Sequence, residues 1–168
     1  MPIMRRNDRI SRSLTSWKGR PVKAGKTELN EELIVGRIRV LIADDHEEIL
    51  DDICGLLEPE FDVVGAVGDG QALISAAGIF QPDIIVTDIS MPRLNGIEAA
   101  RLIIKNNPAT RIILLTVHND SALVEQGFSA GAIGYVLKIK ADEELAPAIH
   151  SALEDKRFIS PLVTNSSN

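Results

Sequence analysis

Five short apolar, β-prone runs alternate with five segments of helical periodicity between Arg37 and Arg157, and no other feature of the chain constrains its fold as strongly. The first run is Ile38–Ala43, and Ile49, Leu50, Ile53, Leu56 and Leu57 follow it at helical spacing. Phe61–Val67 and Gln71–Phe80 repeat the pattern, and Asp83–Asp88, introduced by Pro82, begins a third unit whose helix is marked by Ile97, Ala100, Ile103 and Ile104. Arg111–Thr116 leads to a short, glycine-interrupted helix over Asp120–Ala130. Ala132–Leu137 leads to a last helix carrying Leu145, Ile149 and Leu153 at i, i+4, i+8. Strands that alternate with helices build a parallel sheet covered on both faces, and the near-continuous apolar character of these strands fits burial on both sides. Right-handed crossovers leave few topologies open. In such sheets ligands bind beyond the carboxyl ends of the strands.

What stands at those ends is unusual. The first strand runs into Asp44-Asp45, the third ends at Asp88, the fourth at Thr116, and the fifth is followed by Lys138. Each residue alone has an ordinary explanation: Asp caps helices, Thr suits strands, and Lys is normally solvated. Together they place three carboxylates, a hydroxyl and an ammonium on one edge. Carboxylates held close repel one another and are pushed toward protonation, and a divalent cation with oxygen ligands, such as Mg²⁺, relieves that repulsion. A carboxylate is also a nucleophile toward phosphorus, and a metal with a lysine neutralises the oxygens of a phosphoryl group in transfer.

Composition sets the limits of the reading. One cysteine, Cys54, excludes an internal disulfide framework and a Cys-rich zinc site, and it fits a reducing cytosol. No apolar run reaches the ~20 residues of a membrane span, and the N-terminus lacks the apolar stretch of a secretory signal. A cytoplasmic protein without membrane contact is the expectation. The net charge of −6 is uneven: residues 1–27 hold eight Lys/Arg against one acid, Asp8, so the rest of the chain carries −13. This basic segment, within residues 1–36, has the composition of a disordered extension, but an Arg- and Ser-rich transit peptide or an arm for nucleic acid or anionic membrane fits it too. Glu28–Val35 has the pattern of a short helix. Residues 158–168 read as a flexible tail.

The motifs VLIADDHEEIL (40–50), DIIVTDISMPRLNGIEA (83–99), ILLTVH (113–118) and GYVLK (134–138) resemble the receiver domain of two-component response regulators across residues 37–157. The wording of the last two strands and KRFISP is most similar to the NarL/FixJ type. The resemblance implies a doubly wound (βα)5, flavodoxin-like fold with a five-stranded parallel sheet in order 2-1-3-4-5. It implies Asp88 as the phosphoacceptor, with Asp45 as a direct Mg²⁺ ligand, Asp44 acting largely through water, and Asp88 and the Ser90 backbone carbonyl completing the protein's share of the metal site. Lys138 would pair with the phosphoryl group, Thr116 would move toward it, and Tyr135 would change rotamer with Thr116. The output would be the face formed by the fourth helix, fifth strand and fifth helix. Such a domain is a phosphorylation switch rather than an enzyme. Its partners would be a sensor histidine kinase or phosphotransfer protein, together with a homodimer or another protein reading the output face. Leu162–Asn168 is too short for a helix-turn-helix domain, so no DNA-binding domain is expected here, whether the domain stands alone or belongs to a longer transcription factor.

Several positions depart from the usual pattern. Val117 is larger than the residue common after the threonine and would narrow access to the pocket. Ile139 follows Lys138 where many relatives carry Pro or a polar residue. Pro147 falls inside the last helix, where it removes an amide donor or kinks the helix. His118, two after Thr116, either lines the pocket mouth and tunes dephosphorylation, with the Ser90 side chain contributing similarly, or is an exposed loop histidine. Competing classes fit less well. A haloacid-dehalogenase-type phosphatase wants an Asp at position 90. A pure binding module would not need the complete pocket. The Gly65–Gly70 stretch lacks G-x-G-x-x-G spacing, and there is no G-x-x-x-x-G-K-[ST] loop.

Overall fold

The computed structural model describes residues 36–164. Strands β1 (Arg39–Ala43), β2 (Asp62–Val67), β3 (Ile84–Thr87), β4 (Arg111–Thr116) and β5 (Gly134–Leu137) alternate with helices α1 (Glu47–Leu57), α2 (Gly70–Phe80), α3 (Gly96–Asn106), α4 (Ser121–Ser129) and α5 (Ala141–Leu153). A 3-10 turn, Lys138–Lys140, joins β5 to α5. A two-residue strand β6 (Phe158–Ile159) and a one-turn helix α6 (Pro161–Thr164) follow. All pairings are parallel, and the order is 2-1-3-4-5-6.

The sheet therefore has six strands rather than the expected five. Phe158 pairs with Gly134 and Ile159 with Tyr135, inside the segment that composition alone marks as a flexible tail. Two residues are too few to show a period, which is why the sequence does not announce this strand. The helix expected over Glu28–Val35 lies outside the described residues.

Alternation along the strands divides the core in two. Val40 and Ile42 of β1, Ile84 and Val86 of β3, Ile113 and Leu115 of β4, and Val136 of β5 pack with Leu50, Ile53 and Leu57 of α1 and Leu145 and Ile149 of α5. Their neighbours Leu41, Ala43, Ile85, Ile112, Leu114, Tyr135 and Leu137 pack on the other face with α2, α3 and α4. Successive side chains of a strand point to opposite faces, so both faces of the central strands must be apolar, and they are. Cys54 is buried as a small apolar group. Pro147 gives up its amide donor without breaking α5, which runs on to Leu153.

The entries to α2, α3 and α4 are capped by short polar side chains. Asp69 accepts from the Ala72 amide at 2.8 Å, Asn95 from Glu98 at 2.9 Å and Asp120 from Ala122 at 2.8 Å. Each cap also ends a loop at the carboxyl edge of the sheet, so capping fixes where the strand-end loops turn back.

Gly96, the first residue of α3, comes so close to the third strand's end that an added Cβ would stand 1.9 Å from the Asp88 carbonyl oxygen. That contact is with backbone, which cannot swing aside. Gly96→Ala is expected to lower stability by about 3 kcal/mol in chemical denaturation. Gly55→Ala, in the exposed interior of α1 where an added Cβ meets nothing within 4 Å, is expected to raise it by about 0.5–1 kcal/mol.

Candidate functional site

The site grows out of the strand ends. The Asp44 amide donates to the Val67 carbonyl at 3.0 Å and the Asp88 amide to the Ala43 carbonyl at 2.8 Å, so both acids are held by hydrogen bonds that continue the ladder one residue past the strands. Asp44 is 2 % exposed and Asp88 5 % exposed. Between them lies the ammonium of Lys138, with Nζ 2.5 Å from Asp44 Oδ2 and 3.1 Å from Asp88 Oδ2. The contact to Asp88 is an aligned hydrogen bond. The contact to Asp44 is an ion pair without that alignment, and the buried Oδ2 of Asp44 has no well-oriented donor.

The charges shift one another. Burial raises the Asp88 carboxyl pKa, and the neighbouring charge of Asp44 adds to this; Lys138 and the Ser90 amide oppose it without cancelling it. For Lys138, burial disfavours the ammonium, but contact with Asp44 and Asp88 outweighs burial and holds its pKa above the ordinary lysine value. Lys138 therefore stays cationic between two acids that would otherwise repel.

Asp45 is exposed at the edge of this pair. His46, to which the sequence reading gave no role, lies against both acids, its Nδ1 3.2 Å from Asp44 Oδ1 and 3.0 Å from Asp45 Oδ1. Asp44, Asp45, His46 and Asp88 each offer a ligand atom within 4.8 Å of the others, a group able to hold a metal ion. The donor set is mainly carboxylate oxygen, and the buried Asp44 Oδ2 without an aligned donor fits a site completed by a cation. The only signal that could have pointed to His46 is its place directly after the acidic pair.

A second cluster sits on the α4 side. Thr116 is fully buried, and its Oγ1 accepts the His118 amide at 3.1 Å. Tyr135 is 1 % exposed, and its hydroxyl donates to the His118 carbonyl at 2.7 Å. Thr116 and Tyr135 are thus brought together through the backbone of one loop residue. The exposed His118 ring reaches back to the loop after Asp88, with Nε2 3.1 Å from Ser90 Oγ. The Ser90 amide approaches Asp88 Oδ1 at 3.4 Å. Val117 is 70 % exposed, so its side chain stands in solvent rather than packing into the pocket, and Ile139 is likewise exposed.

The loop after Asp88 is tightly held. Arg93 takes a positive φ of 66°, rare for a residue with a side chain, and its guanidinium pairs with Asp69 Oδ2 at 2.6 Å. The Gly96 amide closes the loop onto the Ile89 carbonyl at 2.8 Å. A cleft of about 410 Å³ opens between this loop and α4, lined by Ile89, Ser90, Met91, Ile97, Leu123 and Gln126 among others.

The model of the response regulator receiver domain family matches residues 40–150, and the chain belongs to that family. It is 33% identical over 139 residues to the transcriptional regulatory protein DegU of Brevibacillus brevis, covering 82% of this chain and 59% of DegU. It is 40% identical over 118 residues to the uncharacterized transcriptional regulatory protein YxjL of Bacillus subtilis, covering 69% of this chain and 54% of YxjL. The chain thus spans between half and three fifths of these relatives. Among solved structures, a LuxR-family two-component response regulator from Aurantimonas superposes with a TM-score of 0.74 at 34% identity, covering 77% of this chain and 94% of that one. The isolated receiver domain of RcsB from Salmonella enterica, with a beryllofluoride phosphomimetic, gives 0.70 at 31% identity, covering 77% and 97%.

Tyr135 is the sole tyrosine, so its environment can be read directly. Burial, with the charge of Asp120 adding to it, pushes its hydroxyl pKa up to about 12 from 10.0. An ultraviolet titration is expected to show phenolate forming near pH 12. Because the folded value lies above the unfolded one, the associated stability is complete below pH 10 and is lost as pH rises from 10 toward 12.

Proposed function

We propose that Asp88 accepts a phosphoryl group in a Mg²⁺-dependent reaction and that Lys138, Thr116 and Tyr135 convert this event into a change of surface. The observation that carries the reading is the Lys138 ammonium lying 3.1 Å from Asp88 Oδ2 and 2.5 Å from Asp44 Oδ2, a partly buried cation where phosphoryl oxygens would arrive. Asp45, Asp88 and the Ser90 carbonyl would hold Mg²⁺, with Asp44 acting largely through water. When bound, the ion supplies positive charge to the carboxylates and to the phosphoryl oxygens.

The residues divide the work. A carboxylate oxygen of Asp88 attacks phosphorus, a P–O bond forms, and the bond to the donor's leaving group breaks. Asp88 must be ionised to do this, so its raised pKa disfavours attack at low pH. Lys138 turns from Asp44 toward the new phosphoryl oxygens. Thr116 trades its hydrogen bond with the His118 amide for one with the phosphoryl group. Because Tyr135 is tied to the same His118, the loop and the aromatic ring move as a unit. Of α4 only Val124 and Gly127 are buried, and the adjoining cleft leaves room for the helix to shift. Two arrangements biased by differential contacts are all that a switch requires.

The donor in this reading is a sensor histidine kinase or phosphotransfer protein in the cytoplasm, and the readout is the α4–β5–α5 face, through a partner or a homodimer. The relatives are named as transcriptional regulators, and RcsB has been solved as dimers bound to DNA, which supports a role in transcriptional control for the longer protein such a domain serves. We divide the chain into residues 1–36, 37–157 and 158–168, with Phe158–Val163 of the last segment joined to the domain through β6 and the buried Ser160 and Val163. The acceptor domain is a signalling switch, with at most slow self-dephosphorylation.

Incubated with Mg²⁺ and a small acyl phosphate, the protein is expected to gain one phosphoryl mass. Asp88→Asn should gain none, and Lys138→Met should react about 100-fold more slowly. An unchanged adduct on Asp88→Asn would show the acceptor to be another residue.

A further inference from the structure

Ser160 is fully buried, and all its polar groups are engaged. Its amide donates to the Tyr135 carbonyl at 2.9 Å, and its carbonyl accepts from the Val163 amide at 2.9 Å. Its hydroxyl accepts from the Leu137 amide at 2.9 Å and donates to Oε2 of Glu144 on α5. Strand β6 stops at Ile159, opposite Tyr135, so no main-chain carbonyl of β6 is paired with Leu137. The Ser160 hydroxyl takes that carbonyl's place. Without it, a buried amide would be left with no partner, directly before Lys138.

The same segment reaches the α4 side of the pocket. Val163 is buried in the cluster that holds Tyr135 and Leu137, and the Leu162 carbonyl accepts from Asn119 Nδ2 at 3.4 Å, in the loop that follows Thr116. One short piece of chain, Phe158–Val163, therefore holds the backbone on which Lys138 and Tyr135 are mounted and also touches the loop that carries His118.

We propose that Ser160 is a positioning residue for Lys138, and that seating of the 158–163 segment is energetically coupled to phosphorylation at Asp88. The coupling rests on Asp88 being the acceptor, as proposed above. The Lys138 side chain can turn from Asp44 to a phosphoryl group only from a fixed backbone, and Ser160 fixes that backbone through Leu137. Conversely, a phosphoryl group that holds Lys138 stiffens the end of β5 and gives Ser160 a better-defined partner. Thermodynamic linkage makes the two effects equal in free energy. The chain beyond α5 is thereby anchored more firmly in the phosphorylated state, which gives the switch a second route outward beside the α4–β5–α5 face.

Hydrogen–deuterium exchange on the full chain, with and without Mg²⁺ and beryllofluoride, tests this. The expected result is several-fold slower exchange in the 158–163 segment alongside slower exchange around Asp88 and Thr116. Ser160→Ala should weaken beryllofluoride binding and slow phosphorylation by an acyl phosphate by about fivefold each, with exchange in β1 and β3 unchanged. If that variant does not fold, Ser160→Cys, similar in size but a weaker acceptor, should show a smaller loss in the same direction. Slower exchange around Asp88 and Thr116 with no change at 158–163 overturns the coupling alone. So does wild-type beryllofluoride affinity in a folded Ser160 variant. No response anywhere, including around Asp88, removes the acceptor assignment and the coupling with it.

Discussion

Two carboxyl groups with little exposure, Asp44 and Asp88, stand side by side with a cation between them. The Lys138 ammonium, 2.5 Å from one and 3.1 Å from the other, supplies that cation, and much of the surrounding structure keeps it in place. Removing one partner from such a group leaves a charge that the protein interior cannot solvate. The contact of Lys138 with Asp88 is an aligned hydrogen bond, whereas its contact with Asp44 is an ion pair.

The sheet makes this possible by geometry alone. Parallel strands all deliver their carboxyl ends to one edge, so residues far apart in sequence converge there without a dedicated scaffold. Alternation of side chains sets which face each residue serves. Thr116 shares the parity of Ile112 and Leu114, and Tyr135 that of Leu137, so both belong to the α2–α4 side, where α4 buries least and can yield. Thr116 and Tyr135 therefore stand on the side of α4, of which only Val124 and Gly127 are buried.

Most of this is legible in the sequence because it is carried by strong periodic signals. The five long strands and five helices follow from apolar runs and helical spacing, and the strand-end rule then points to Asp44, Asp45, Asp88, Thr116 and Lys138. What stays hidden depends on single hydrogen bonds between distant residues. A two-residue strand has no period, so β6 is invisible. Ser160 reads as an ordinary polar residue before a proline, although its hydroxyl completes the β5 ladder. The contact of Lys138 with Asp44 as well as Asp88 follows from a balance of charge and burial that no motif encodes. The exposure of Val117, expected at the pocket mouth as a constriction, is likewise set by the turn of its loop.

The most direct test is a crystal structure of the protein with Mg²⁺ and beryllofluoride. The account predicts a beryllofluoride group on an Asp88 oxygen, Mg²⁺ against Asp45, Asp88 and the Ser90 carbonyl, and Lys138 Nζ moved from Asp44 to a fluorine atom. A beryllofluoride group on any other residue, or a Lys138 ammonium still bridging Asp44 and Asp88 beside an occupied site, would contradict it.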